Sequence, residues 1–160
     1  MPERALNRER HLLAAIELAQ RSRENGNHPF GALLVDADGN VVLEAENTVV
    51  TGRDVTGHAE TNLIRMATVR FDPDFLQRCT LYTSTEPCAM CAGAIYWSNV
   101  RRVVFALSQE EIRRITSRNP ANMRLEITSR EVFARGDHRV HVDGPHLLAE
   151  ARAVHEGFWD

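Results

Sequence analysis

The segment Cys79-Thr-Leu-Tyr-Thr-Ser-Thr-Glu-Pro-Cys-Ala-Met-Cys-Ala-Gly-Ala-Ile-Tyr-Trp97 changes its periodicity in the middle. Cys79 to Ser84 is rich in β-branched and aromatic residues and reads as a short buried strand. Pro87 suits the first turn of a helix, which then runs through Cys91, Ala94, Ile95 and Trp97. Strand hands over to helix at Cys88 and Cys91, so two thiols three residues apart share one helix face at its N-terminal end. The positive potential of that end favours thiolates, the form of cysteine that ligates zinc. A Cys-x-x-Cys pair is also compatible with a redox couple or with two core thiols, and a second feature has to decide.

The flanking sequence extends the strand-to-helix pattern in both directions. Leu12, Leu13, Ile16 and Ala19 recur at helical spacing between Arg4 and Arg23, and Glu24-Asn25-Gly26-Asn27 supplies a stop. Phe30 to Val35 and Val41 to Ala45 read as paired strands about an Asp-Gly turn. Ala59 to Val69 carries a helical pattern that Asp72-Pro73 ends. Downstream, Arg102 to Leu107 reads as a strand and Gln109 to Ile115 as a short helix. A last strand near Val140 to Val142 and a helix from about Pro145 to His155 complete the order, whereas Thr116 to Arg139 is polar and matches no template. Strands alternating with helices after an opening hairpin predict a layered α/β domain. No repeat, low-complexity tract or linker interrupts the 160 residues, which are read as one domain.

Composition narrows the chemistry. The net charge is −3, which gives no general attraction for a phosphate backbone, so no nucleic-acid partner is expected. All 19 basic residues are arginine; a chain without lysine forms neither a Schiff base nor a phosphate-loop lysine site. Three cysteines, an odd number, argue against a disulfide framework. No apolar run approaches the ~20 residues of a membrane span, and the charged N-terminus lacks the apolar stretch of a secretory signal. A cytoplasmic location is the expectation.

The second feature is His58-Ala59-Glu60. The zinc deaminase signature is H-x-E followed downstream by P-C-x-x-C, with the glutamate outside the metal shell, and both halves occur here in that order. His58, Cys88 and Cys91 are the expected ligands. Three protein ligands leave a fourth tetrahedral position open, as hydrolytic zinc sites require, whereas structural zinc usually takes four. Residues two apart do not share a helix face, so His58 and Glu60 converge only at an irregular first turn, which Thr56-Gly57 supplies. Zinc lowers the pKa of bound water from about 15.7 toward about 7. Glu60 is then the expected proton carrier, from water to a ring nitrogen and on to the departing amine.

These residues resemble the cytidine deaminase superfamily, and within it the bacterial guanine and cytosine deaminase-like branch. The resemblance spans about Arg8 to Leu107. It is strongest in His28-Pro-Phe-Gly-Ala32, Gly57-His-Ala-Glu60 and Leu81 to Trp97. It implies a three-layer α/β/α sandwich around a five-stranded mixed sheet, one zinc per subunit, and a homodimer or larger assembly. By position it also implies substrate contacts. Asn47 corresponds to a pocket asparagine and Phe30 to an aromatic against the ring; Ala59, Tyr96 and Trp97 fall beside the motifs. The ending Phe158-Trp159-Asp160 matches a C-terminal segment that covers the site, so 157–160 is expected to act as a lid.

The implied substrate is a free base or nucleoside, with guanine favoured and cytosine or a related aminated ring next. The tRNA adenosine deaminases share the core motifs, but usually continue after the third core strand with a Gly/Ala/Lys-rich loop. Here Ala106-Leu107-Ser108-Gln109-Glu110-Glu111 stands instead. Arg113, Arg114, Arg118, Arg124 and Arg130 form either a basic patch or an ordinary solvated face. A non-catalytic zinc-stabilised nucleotide- or RNA-binding module is the alternative from another class, and the intact Glu60 argues against it.

Overall fold

The computed structural model describes residues 2–160. Its elements run α1 (Pro2–Glu24), β1 (Gly31–Val35), β2 (Val41–Glu46), α2 (Val49–Gly52), α3 (Ala59–Arg70), α4 (Pro73–Gln77), β3 (Thr80–Thr85), α5 (Ala89–Ser98), β4 (Arg102–Leu107), α6 (Gln109–Thr116), α7 (Ser129–Phe133), β5 (His141–Asp143) and α8 (Leu148–Ala153). The strands form one five-stranded sheet in the order β2-β1-β3-β4-β5. β1 pairs antiparallel with β2 and β3, while β3, β4 and β5 are parallel. This is the mixed sheet that the resemblance implies.

Period-two alternation decides which helices cover which face. Ala32 and Leu34 of β1, Leu81 of β3 and Val103 of β4 pack with Ala59, Leu63, Ile64 and Ala67 of α3, Ala92 and Ile95 of α5, and Phe133 of α7. On the other face, Leu33 and Val35 meet Ala15 and Leu18 of α1. Val104 and Ala106 there pack with Leu12, Ile16 and Ala19 of α1, Ile112 of α6, and Ala151 and Val154 at α8. Three layers result. Gly31 lets α1 seat directly on the sheet: a Cβ there would lie 2.5 Å from the Ala15 carbonyl oxygen and 2.6 Å from the Ala19 nitrogen. Only glycine fits without moving helix backbone.

Four local features differ from the sequence-based expectation. Pro87 stands one residue before the α5 N-cap, which is Cys88, so it precedes the helix instead of opening it. Asp72-Pro73 both stops α3 and starts α4, because the Asp72 carboxylate accepts the Phe75 N–H at 2.8 Å. The unplaced segment contains α7, opened by a capping box in which Thr128 and Glu131 satisfy each other's backbone N–H groups. The last helix is shorter than Pro145–His155: Leu147 at φ 48° is its N-cap, and the chain turns again from Val154.

Candidate active site

His58 is the N-cap of α3 and Cys88 the N-cap of α5, both with extended backbone, and the two helices begin side by side on the same face of the sheet. Cys91 lies in the first turn of α5. His58 Nδ1 is 3.6 Å from Cys88 Sγ and 3.5 Å from Cys91 Sγ, and the three donor atoms lie within 4.8 Å of one another. A tetrahedral zinc with ordinary Zn–S and Zn–N lengths requires N···S separations of about 3.6 Å. The donor set therefore fits zinc, with one position left for a non-protein ligand.

The electrostatics agree with a thiolate site. The Cys91 thiol's hydrogen bond, helped by His58, holds Cys88 down at about 4 against its burial. Cys91 is correspondingly pushed up, by the same hydrogen bond and by burial. Zinc ligation at this pair would take both cysteines as thiolates. The hydrogen bond to Cys88 raises His58, opposed by burial.

Glu60 follows two residues after His58 and is 5% exposed. Its Oε1 accepts the Thr83 hydroxyl at 2.7 Å, which fixes the carboxyl from the floor of the sheet. Burial raises its pKa, with the Thr83 hydrogen bond opposing. A carboxyl so placed is suited to take and return a proton. Thr83 is a residue that sequence reasoning missed. The signal was there: Thr83, Ser84 and Thr85 are three consecutive hydroxyls leading into the Pro-Cys motif, and each is nearly fully buried.

The next ring of residues is tied together by the end of α1. The buried Ser22 hydroxyl lies 2.7 Å from the His28 carbonyl oxygen and 3.1 Å from that of Asn47, and the Asn47 N–H donates to the Phe30 carbonyl. Asn47 is 1% exposed, and its Oδ1 accepts the Val49 N–H at 3.0 Å. The tail folds onto this ring. The Trp159 ring lies 5.4 Å from His28 and 6.0 Å from Phe30, and Phe158 meets His28 edge-on at 5.9 Å. Phe30, Asn47, Phe158 and Trp159 are thus brought together.

Other expected contacts are not gathered here. The Ala59 side chain is fully buried in the core under α3, which leaves only its backbone to face a substrate. Trp97 is 84% exposed and meets Tyr96 edge-on, while Tyr96 stacks on His138. Six residues, about one and two-thirds turns, separate Trp97 from Cys91, so helical geometry carries it to another face. Asp160 lies beside Arg118 and Arg152 on a cavity of about 220 Å³ formed with the tail. Two of the five arginines are ion-paired, Arg113 with Glu126 and Arg114 with Glu110 and Glu111, while Arg130 donates to the Val142 and Gly144 carbonyls, and all five are exposed. It is a solvated face.

Glu86, adjoining the Pro-Cys motif, was also missed. It is 6% exposed, yet its carboxylate accepts the Gln109 N–H at 3.0 Å, the Ser129 N–H at 3.0 Å and the Ser129 hydroxyl at 2.7 Å. This network fixes the loop that carries Cys88 to the starts of α6 and α7.

Known proteins resemble the chain along these features. The cytidine and deoxycytidylate deaminase zinc-binding region matches residues 6–107. A probable cytosine deaminase of Schizosaccharomyces pombe is 46% identical over 151 residues, covering 94% of this chain and 91% of that one. A tRNA-specific adenosine deaminase of Haemophilus influenzae is 37% identical over 127 residues, 76% of this chain and 73% of its own. The solved guanine deaminase of Nitrosomonas europaea superposes with a TM-score of 0.72 over 91% of this chain and 80% of that one, at 26% identity. Motif, donor geometry and fold converge, and the chain belongs to the cytidine and deoxycytidylate deaminase zinc-binding family.

Proposed function

We propose that this zinc-dependent deaminase acts on a free nucleobase, with cytosine first and guanine second, and that residues 157–160 close the site over it. The observation that carries the reading is the aromatic enclosure. Phe30, His28 and Trp159 meet one another, His28 lies within electrostatic reach of His58, and the Asn47 amide nitrogen would offer a donor to a ring carbonyl. Such a site suits a flat ring without a polymer attached. Cytosine is placed first because the S. pombe relative is alike across 94% of this chain.

When bound, zinc supplies the Lewis acidity that makes hydroxide accessible near neutral pH. Glu60 takes the proton of the attacking water and delivers it to ring N3, as the new C–O bond forms at C4. A second proton passes through Glu60 to the amine. The C–N bond then breaks, leaving ammonia and uracil. Thr83 holds the carboxyl in place throughout, and Asn47 and Phe30 orient the ring. For guanine the same steps take place at C2.

The reading also includes one catalytic domain spanning 1–160, a cytoplasmic location and a homodimer. Three cysteines outside any disulfide suit a reducing compartment, and exposed Trp97, Met123 and Leu125 offer apolar surface to a second copy. No helix among the described residues is long and apolar enough to cross a membrane.

Ammonia release from cytosine, guanine, adenine, cytidine and tRNA, with Glu60→Ala as control, tests the proposal. Turnover of cytosine is expected, falling by about 10²–10⁴-fold in the variant. Turnover confined to tRNA, or a wild type no faster than the variant on every free base, overturns it.

A further inference from the structure

The tail is held at both ends by residues outside the chemistry. Arg23 of α1 donates to the Val154 and Glu156 carbonyls at 3.0 and 2.6 Å and lies over the Phe158 ring. Asn122 Nδ2 donates to the Trp159 carbonyl at 3.1 Å. Between these anchors the Trp159 indole Nε1 donates to His155 Nδ1 at 3.1 Å. An indole nitrogen only donates, so Nδ1 must be unprotonated for this bond to exist. His155 is 2% exposed, its ring lies 5.4 Å from Phe30, and its Nε2 has no partner.

We propose that His155 is a positioning residue: its unprotonated Nδ1 is the acceptor that seats Trp159 against His28 and Phe30, and protonation of that nitrogen releases the tail. This rests on the reading of residues 157–160 as a lid. A protonated imidazole presents N–H at both ring nitrogens, so the Trp159 N–H would face a donor. Charged and titratable neighbours lie near His155. Arg23 comes from α1; Arg118, Arg152, Glu156 and Asp160 line the same cavity as His155, and His28 meets the Trp159 ring. Burial, reinforced by the Arg23 charge, pulls the His155 pKa down to about 4, which keeps the acceptor available at neutral pH.

The test uses a Trp97→Phe background, in which Trp159 is the one remaining tryptophan. Acrylamide quenching then reports the tail, and cytosine kinetics report the site. His155→Leu, which removes the acceptor, is expected to expose Trp159 to quencher and to raise KM at least about tenfold, with kcat moving less; tenfold corresponds to about 1.4 kcal/mol, within the range of one buried hydrogen bond. His155→Asn, whose Oδ1 stands near the Nδ1 position and does not titrate, is expected to restore both. In the parent, quenching should rise as the pH falls from 6.5 toward 4, and in His155→Asn it should stay flat. Combining His155→Leu with Trp159→Phe should add nothing to either alone. Unchanged KM and quenching in His155→Leu, or multiplying effects in the pair, overturns the assignment. Deleting residues 157–160 separates the two ideas. If the deletion leaves KM unchanged, the lid reading fails; if it raises KM and His155→Leu does not, only the role of His155 fails.

Discussion

Replacing Glu86 with glutamine should loosen the metal site without touching a ligand. The carboxylate receives three hydrogen bonds, two on Oε2 from Ser129 and one on Oε1 from Gln109. A glutamine that turns its oxygen toward Ser129 presents its NH₂ to the Gln109 N–H, donor against donor. The reverse orientation sets the NH₂ against the Ser129 N–H. Either way at least one bond to a charged acceptor is lost, and such bonds contribute about 1.5–3 kcal/mol each. In a domain of this size 1 kcal/mol moves the melting temperature by roughly 2–4 °C, so Glu86→Gln should melt about 5–10 °C lower. Because Glu86 is two residues from Cys88, zinc affinity should also fall, by about 10-fold, the low end for outer-shell partners. Calorimetric melting of the zinc-saturated protein and competition against a chromogenic chelator measure the two effects. A variant that melts within about 2 °C of wild type and holds zinc as tightly would refute the inference that this network fixes the cysteine loop.

Two further perturbations test the architecture. Stripping zinc with a chelator should abolish deamination and lower the melting temperature, since a ligand bound by the folded state alone stabilises it; identical melting curves with and without metal would count against the site. Gly31→Ala should cost about 1–3 kcal/mol, because the new Cβ meets helix backbone at 2.5–2.6 Å. Thermal denaturation at or above the wild-type midpoint would show that α1 has room to move.

The parts of the fold that the sequence made legible are those where one periodicity dominates. β1 and β4 were readable as short continuous apolar runs, β3 by its β-branched and aromatic residues, and α3 by helical spacing. The ligands were readable because His58, Cys88 and Cys91 combine spacing with residue chemistry. α7 escaped because its five residues make barely more than one turn, too short for a pattern, although Thr128 and Glu131 carry a capping signal. Glu86 and Thr83 escaped for another reason. Their importance lies in partners 43 and 23 residues away, and no local rule reports a contact of that range. Trp97 shows the converse: adjacency to a motif suggested a contact, and helical rotation turns the ring to solvent.

The metal donors belong to helices on one side of the sheet, whereas His155, Arg23 and the aromatic ending hang from the α1 and α8 layer on the other. Under the proposed lid role of residues 157–160, part of the substrate choice would sit in a layer separate from the metal donors. A descendant could then trade its ending and acquire a different preference while inheriting the water-activating apparatus intact.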